Sequence, residues 1–365
     1  MKTNQLILAT AALVALAACT KETANLEVPE TEANEIGFKA VATMTTKAND
    51  AIISGTAYGT ENTFQLWAWQ SEAGTYAEFS ENAASNFMNN ITISYCGGPS
   101  SRANAWRNAD HYYYWPFTGK IAFLAIHPST VAPTSTGWDA TNKKPKASIT
   151  GYTISDSNKT VDLMFANNEG TRVSNGNTPV NMVFKHALSQ IQFKAKTQDD
   201  YSADVQFDLE SVQINNIDLS GDVAYANTAF TWTANTTQTQ NWLYYNTVKT
   251  DIKYTYANAE DYNYGSAILM IPQPANIKAS ALDPSDPKYD ASDDVQTTLT
   301  IGYSMQQKPL ANNAKITGTV TVAAPQVWEP GNKYVYTLNF NLNEILFNPS
   351  VTDWVTVDVA AIDIP

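Results

Sequence analysis

The clearest pattern in the chain is Lys333-Tyr334-Val335-Tyr336-Thr337-Leu338-Asn339-Phe340-Asn341-Leu342. Its apolar and aromatic residues recur at every second position, at Tyr334, Tyr336, Leu338, Phe340 and Leu342. The opposite face carries polar residues, at Lys333, Thr337, Asn339 and Asn341. A period of two is that of a β-strand with one buried face. The pattern therefore predicts a long strand that covers a hydrophobic core.

Other segments alternate in the same way, and no long helical pattern appears. Their apolar faces are Ile36, Phe38, Ala40, Ala42 and Met44; Val295, Thr297, Leu299, Ile301 and Tyr303; and Ile316, Gly318, Val320 and Val322. Turn-rich stretches such as residues 167–170 and 219–222 separate the runs. Many short strands with turns between them predict an all-β chain of packed antiparallel sheets.

Two runs change phase by one residue. Apolar positions are odd from Val205 to Leu209 and even from Val212 to Ile214. They are even from Phe184 to Leu188 and odd from Ile191 to Phe193. A β-bulge inside a strand produces such a slip, so both runs are predicted to contain one.

The chain has 365 residues, of which 44% are hydrophobic, enough for two domains with real cores. We place the domain boundary near Thr178-Pro179, which gives an N-terminal domain of residues 36–178 and a C-terminal domain of residues 179–365. The net charge is −13, from 22 basic and 35 acidic side chains. A negative field repels phosphate backbones, so nucleic acid is not expected as a partner.

The N-terminus has the features of a secretion signal. A short basic start precedes an apolar stretch from Leu6 to Ala18, which is too short to span a bilayer as a helix. This stretch ends in Leu16-Ala17-Ala18-Cys19, which resembles a bacterial lipobox and implies cleavage before Cys19 and acylation of that residue. An ordinary cleaved secretory signal is the alternative. Residues 1–18 are thus predicted to be a lipoprotein signal peptide.

Residues 19–35 are polar, acidic and poor in large apolar side chains, so they are interpreted as a flexible tether. Several acyl chains on Cys19 would anchor this tether stably in the outer membrane, which predicts a surface-exposed lipoprotein. The chain has two cysteines. With Cys19 assigned to lipid, Cys96 is expected to have no partner within the chain and to be a small apolar residue near a turn.

No residue pattern indicates catalysis, a metal site or a cofactor. The three histidines, His111, His127 and His186, have no His or Cys at metal-ligand spacing and are interpreted as satisfied structural residues. The acidic segment 283–294 lacks the glycine and glutamate of an EF-hand and is interpreted as a solvated loop, with an adventitious Ca²⁺ site as the alternative. Tryptophans lie in or beside the predicted strands, where core packing is the first interpretation and sugar stacking the second; they are Trp67, Trp69, Trp115, Trp232, Trp242, Trp328 and Trp354.

Behind the lipobox, the chain resembles the fimbrillin family, the lipoprotein pilins and adhesins that build type V pili. The resemblance is carried in order by Tyr113-Tyr114-Trp115-Pro116 with residues 121–128, by residues 182–191, by Ile268-Leu269-Met270-Ile271-Pro272-Gln273, and by residues 328–338. In the last segment Trp328-Glu329-Pro330-Gly331 resembles the tight turn before a long strand, and Gly331 suits a positive φ. The resemblance implies two β-sandwich domains of Greek-key, transthyretin-like character.

The resemblance also implies assembly by strand donation. A trypsin-like protease removes the first strand of the precursor, and a strand of another pilin subunit fills the open groove. The run from Ile36 to Met44 is the candidate removable strand, and Lys47 is the basic residue after it, so that cleavage would make Ala48 the new N-terminus. The alternative for Lys47 is an exposed loop lysine. The candidate donor strand presents Val355, Val357, Val359 and Ala361, and a last strand within its own sheet is the alternative.

The expected function is therefore that of a structural or adhesive subunit of a type V pilus, with other pilin subunits as partners. A receptor on a host or bacterial surface is a further expected partner. A stand-alone surface lipoprotein that binds glycans is the first alternative. A surface hydrolase on a β-sandwich is the second, although no convincing pair of carboxylates supports it.

Overall fold

The structure is a computed structural model, which describes residues 34–42, 58–97, 105–176, 178–234, 240–272, 297–324, 327–342 and 345–353. Several predicted features lie outside these residues: the signal peptide 1–18, most of the tether 19–35, Lys47 and Ala48, the acidic segment 283–294, and the candidate donor strand 355–361. Those features stay predictions.

The regular secondary structure of the described residues consists almost entirely of β-strands, which confirms the predicted all-β class. The strands are β1 (Phe38–Ala42), β2 (Thr63–Ser71), β3 (Met88–Cys96), β4 (Ala105–Arg107), β5 (Lys120–His127), β6 (Ser135–Asp139), β7 (Lys144–Thr153), β8 (Met164–Gly170), β9 (Val180–His186), β10 (Ser189–Thr197), β11 (Val205–Ile217), β12 (Ser220–Ala226), β13 (Ala229–Ala234), β14 (Gln240–Tyr245), β15 (Asn263–Met270), β16 (Thr298–Gln307), β17 (Ile316–Ala323), β18 (Asn332–Phe340) and β19 (Ile345–Asp353). A short α-helix, α1, covers Arg172–Asn175, and 3₁₀ turns cover Ala259–Tyr262 and Leu310–Asn312.

The strands before residue 187, other than β6 and β7, form a closed barrel in the order β1-β4-β3-β2-β5-β8-β9. The barrel closes because β1 is hydrogen-bonded to β4 on one side and to β9 on the other. The apolar faces of the strands point inward and pack into one core, which includes Phe38, Phe64 and Phe123. The first strand of the chain is thus the piece that completes this barrel.

The strands after residue 187, other than β12 and β13, form two packed sheets, β15-β10-β18-β19 and β14-β11-β16-β17. The two sheets meet where Phe207 of β11 lies 5.9 Å, centroid to centroid, from Phe340 of β18. The predicted apolar face of β18 is confirmed at Tyr334, Tyr336, Leu338 and Phe340, which are all buried, whereas Leu342 lies beyond the strand and is 47% exposed. Gly331, just before β18, has the predicted positive φ, at 76°.

A fourth sheet, β13-β12-β7-β6, combines strands from before and after the expected boundary near Thr178-Pro179. In it, β12 pairs antiparallel with β7, with Tyr225 opposite Ala147. The sheet packs on the outer face of the barrel, where the rings of Phe165 and Tyr225 stack at 5.1 Å. The two predicted domains, residues 36–178 and 179–365, are therefore connected by backbone hydrogen bonds as well as by the chain. The domain boundary itself stays a prediction.

The two predicted bulges have different outcomes. The pairing of β11 with β16 shifts between Leu209 and Ser211, which confirms the first. The second run, from Phe184 to Phe193, also contains a shift, between Ile191 and Phe193 in the pairing of β10 with β15, but it is not one continuous strand: β9 ends at His186 in the barrel, and β10 begins at Ser189 in another sheet. The phase changes there because the chain crosses between cores.

Two further expectations need correction. The apolar face of β17 is only partly buried, and Ile316 is 59% exposed, because β17 is the edge strand of its sheet. Cys96 is buried at the end of β3, as a small apolar residue would be, but it is disulfide-bonded, so the expectation that it has no partner is wrong. The other half of that bond lies outside the described residues.

Candidate functional site

The structure places the candidate removable strand at the seam of the barrel. Strand β1 runs parallel to β9 over five residue pairs, from Phe38 opposite Val180 to Ala42 opposite Phe184. On its other side it meets β4, where the described residues include the antiparallel pair of Phe38 and Trp106. Removing β1 would leave β4 and β9 with unpaired edges and would open the barrel between them. We call the space that β1 fills the groove.

The side chains of β1 fill the groove in the alternating pattern that the sequence predicts. Ile36, Phe38, Ala40 and Ala42 are buried, whereas Lys39 is exposed. The ring of Phe38 lies edge-on to that of Phe123 at 5.2 Å and close to that of Phe64. The groove thus accepts two large apolar side chains followed by two small ones.

The N-terminal end of the groove is closed by hydrogen bonds to Asn34, which has a φ of 83°. The amide of Asn34 donates to the carbonyl of Gly176 at 2.8 Å, and its carbonyl accepts from the amide of Trp115 at 2.8 Å. Its side-chain Oδ1 accepts from Nε of Arg172 at 3.0 Å. Two residues later, the amide of Ile36 donates to the carbonyl of Tyr113 at 2.7 Å. We call these four partners, which are Tyr113, Trp115, Arg172 and Gly176, the Asn34 clamp.

Local structure explains why the Asn34 clamp forms where it does. Arg172 opens α1, and its guanidinium lies 4.3 Å from the ring centroid of Phe117, which holds it beside the groove. A Cβ at Gly176 would stand 2.9 Å from Oδ1 of Asn34, so only glycine permits this approach. Sequence reasoning missed the clamp, although an Asn two residues before an alternating run is a recognisable signal.

The other end of the groove is capped by Tyr58, which is 5% exposed. Its ring stacks on Phe184, the residue that pairs with Ala42, at 4.9 Å. Its hydroxyl lies 2.6 Å from Nδ1 of His127 and donates to the carbonyl of Thr63. Burial lowers the pKa of His127, so the imidazole stays neutral at pH 7. Tyr58 is therefore fixed where the segment that contains Lys47 rejoins the described fold.

A second buried histidine joins the barrel to the rest of the protein. Nδ1 of His186 donates to Oδ2 of Asp162 at 2.6 Å, and both side chains are fully enclosed. The amide of Ala187 donates to the carbonyl of Leu163 beside this pair. His127 and His186 are both buried with a hydrogen-bonded Nδ1, as structural histidines would be, whereas His111 is exposed, with its ring 4.6 Å from that of Tyr113.

The exposed aromatic side chains are different from those that the sequence singled out. Most of the predicted core tryptophans are buried, namely Trp67, Trp69, Trp115, Trp242 and Trp328, while Trp232 is partly buried and Trp354 lies outside the described residues. Three neighbouring exposed rings are instead those of Tyr112, Tyr114 and Phe117, which are 55%, 46% and 88% exposed. They follow one another along the loop that supplies part of the Asn34 clamp.

Within the described ranges no three His, Cys, Asp or Glu side chains come together as a metal site. No helix among the same residues is long and apolar enough to cross a membrane.

Comparison with known proteins gives a consistent family and fold. A family model described as fimbrillin-like matches residues 46–354. A crystal structure of a fimbrial protein from Bacteroides vulgatus has a similar fold, with a TM-score of 0.62 and 18% identity over 88% of this chain and 100% of that one. No curated protein sequence matches the chain.

More distant likeness extends to proteins that are provisionally described as cell adhesion proteins. The one from Bacteroides uniformis has a TM-score of 0.46 and 14% identity, over 88% of this chain and 99% of that one. The one from Parabacteroides distasonis has a TM-score of 0.44 and 11% identity, over 88% of this chain and 100% of that one.

Proposed function

Because the chain belongs to the fimbrillin-like family, we propose that it is a type V pilus subunit, structural or adhesive, that assembles by strand donation from a lipid-anchored precursor. The family is one of structural, non-enzymatic proteins, so the chain is a fimbrial or adhesion subunit and no enzyme. Its partners are other pilin subunits, and its place is the cell surface. The strand exchange, the lipid anchor and any receptor are the parts proposed here.

The position of β1 is the observation that carries the strand exchange. This strand comes first in the part of the chain that the structure describes, completes the barrel core, and pairs with β9 over five residue pairs. It leads into the segment that contains Lys47, so one cut after Lys47 would separate it from the rest of the barrel. A strand from another subunit could then restore the lost backbone hydrogen bonds and fill the pockets of Ile36 and Phe38.

The proposed donor is the C-terminal strand that presents Val355, Val357, Val359 and Ala361. These residues follow β19, which is the edge strand of its sheet. Their alternation matches the buried positions of β1. This match favours donation to another subunit rather than addition of a further strand to the sheet of β19. Main-chain hydrogen bonds and buried apolar side chains together would make dissociation slow.

The lipid anchor at Cys19 rests on the lipobox. Acylation uses the sulfur of Cys19, and the chain has only one other cysteine, so the anchor requires that the disulfide of Cys96 be absent from the acylated protein. We expect the mature N-terminal peptide from a membrane fraction to carry the added mass of acyl chains when it is measured by mass spectrometry. An unmodified N-terminal peptide, or one linked through a disulfide to the peptide of Cys96, would contradict the anchor.

Brief treatment of the lipid-free precursor, from Thr20 onward, with a trypsin-like protease tests the strand exchange. We expect a new N-terminus at Ala48 and a ladder of multimers on an unheated denaturing gel that heating abolishes. Lys47→Gln should lose both the cut and the ladder. Lys39→Gln, in the exposed face of β1, is the matched control and should keep both.

Failure of this experiment has a defined meaning. A protein that is cut at Lys47 but stays a monomer would contradict the proposal that this chain polymerises by strand donation as a stalk subunit. A stable, uncut monomer would favour a tip adhesin or the alternative of a stand-alone glycan-binding lipoprotein. The exposed rings of Tyr112, Tyr114 and Phe117 are the observation that keeps this alternative, since sugars stack on exposed aromatic side chains.

A further inference from the structure

A cavity of about 520 Å³ lies where three parts of the described chain meet, and it opens to solvent. Strand β9 contributes Lys185 and His186, the hairpin of β12 and β13 contributes Thr228 and Phe230, and the turn before β18 contributes residues 329–331. None of these residues pairs with β1. A cavity of this size is within the range of small-molecule sites, which is about 300–1,000 Å³.

Hydrogen bonds hold the walls of this cavity in place. Nε1 of Trp232, on β13, donates to the carbonyl of Ala187 at 2.7 Å. The amide of Gly331 donates to the carbonyl of Leu188 at 2.8 Å. The hairpin and the turn are thus both tied to the short connection between β9 and β10. The cavity is therefore formed without a ligand, as ligand sites usually are.

Two side chains of opposite charge line the cavity, and each is hydrogen-bonded to a different neighbour. Nζ of Lys185 donates to the carbonyl of Thr228 at 2.9 Å. Oε2 of Glu329 accepts from Nδ2 of Asn332 at 3.2 Å. An ammonium group carries three hydrogens and a carboxylate has two oxygens, so each can form further hydrogen bonds. The cavity thus offers a ligand both a charged donor and a charged acceptor.

Phe230 adds an aromatic surface to the lining. Its ring centroid lies 5.5 Å from that of Phe165 and 5.2 Å from that of Tyr225, so the ring is held against the core. The side chain is nevertheless only partly buried, and it lines the cavity together with Pro330. A ligand in the cavity therefore meets an apolar surface beside the two charged groups.

We propose that this cavity binds a neutral saccharide unit. A sugar hydroxyl can accept from the ammonium of Lys185 or donate to the carboxylate of Glu329. A ligand with a single charge would be repelled by one of these two groups. The C–H face of a pyranose ring would pack on Phe230, whereas a small zwitterion has the two charges but no flat apolar face. The inference does not rest on strand exchange, because the site is complete in the uncut precursor.

The backbone of the hairpin is a second observation that supports a ligand site. Its two turn residues, Asn227 and Thr228, have φ values of 49° and 64°. Two positive φ values are those of a type I′ turn, in which glycine is usual at the second position. A β-branched residue in this region is strained, and such strain is concentrated at binding sites. The strained residue is also the one whose carbonyl positions Lys185.

Saturation-transfer NMR on the lipid-free, uncut precursor tests the site. The probes are the methyl glycosides of glucose, galactose, mannose, fucose and N-acetylglucosamine. We expect saturable, millimolar binding of at least one probe, with the strongest transfer to the hydrogens on one face of its ring. Lys185→Met and Glu329→Gln should each weaken this binding about tenfold, because each removes a charged hydrogen-bonding group. Phe230→Leu keeps the core apolar but removes the ring, and should also weaken binding.

Two kinds of control accompany these variants. Lys194→Met, on β10 and outside the cavity lining, should bind the probe as the wild type does. Thr228→Gly should raise the melting temperature, since glycine relieves the strain, yet weaken binding because the partner of Lys185 becomes more flexible. Lys143→Gly, at another positive φ of 54°, should raise the melting temperature and leave binding unchanged.

The contrary outcomes are distinct. Absence of saturable binding to every probe, or binding that Lys185→Met and Glu329→Gln leave unchanged, would overturn the site. Saturable binding of free alanine that both variants abolish would overturn the saccharide assignment in favour of a zwitterion. None of these results bears on strand donation, which the protease experiment tests separately.

Discussion

Replacing Phe38 with alanine is expected to lower the free energy of unfolding of the uncut precursor by about 3–5 kcal/mol. Phe38 is 1% exposed and is the largest side chain that β1 contributes to the barrel. Its ring contacts those of Phe64 and Phe123, so truncation removes apolar burial and leaves a cavity that the closed barrel fills poorly. Chemical denaturation, followed by tryptophan fluorescence, measures the loss.

Lys39→Ala is the matched control in the same strand. Lys39 is exposed, so its truncation should change the free energy of unfolding by less than about 0.5 kcal/mol. Phe38→Ala should also speed the appearance of multimers after protease treatment. Without the ring of Phe38, the cut β1 binds the groove less tightly and dissociates from it faster. Equal stability of the Phe38→Ala and wild-type precursors would show that β1 is not part of the folded barrel.

The second large effect is expected at the buried pair of His186 and Asp162. Asp162→Ala removes the acceptor for Nδ1 of His186 in a site that water does not reach. Breaking such a pair costs about 3–5 kcal/mol, because the remaining polar group stays buried. Thermal or chemical denaturation of the precursor, measured at pH 7, gives the size of the loss.

Asp162→Asn separates charge from hydrogen bonding at this position. The amide oxygen still accepts from His186, so the loss should be clearly smaller than for alanine. Asp156→Ala is the surface control, since its bond to Lys159 lies in solvent and should contribute less than about 1 kcal/mol. A loss as small for Asp162→Ala as for Asp156→Ala would contradict a structural role of the buried pair.

The parts of the fold that the sequence predicts well are those with a local signal. A period of two reveals the buried face of β18, from Tyr334 to Phe340, without knowledge of its neighbours. The same pattern identifies Phe38 and Ala40 as inward-facing residues of β1. The shift near Leu209 is visible because a bulge changes the phase of one continuous strand.

The parts that the sequence does not predict depend on contacts between distant segments. Strand β1 pairs with β9 in parallel. Parallel strands are not joined by a tight turn, so no turn motif in the sequence indicates that they pair. The run from Phe184 to Phe193 has a phase change that fits either a bulge or a crossing between sheets, and periodicity alone cannot distinguish them. Lys47, Ala48, Cys19 and the strand from Val355 to Ala361 lie outside the described residues, so those parts of the site stay predictions.

The sheet that joins β6 and β7 to β12 and β13 decides how a subunit carries mechanical load. If subunits join by the proposed strand exchange, each would be pulled at its groove, which lies among the early strands, and at its C-terminal strand. A single linker between these ends would act as a hinge and stretch first. The antiparallel ladder from Ser220 opposite Thr153 to Tyr225 opposite Ala147 provides a second path for the tension, across backbone hydrogen bonds. Each subunit would therefore transmit force as a stiff unit, and the fibre would yield between subunits before it yields within one.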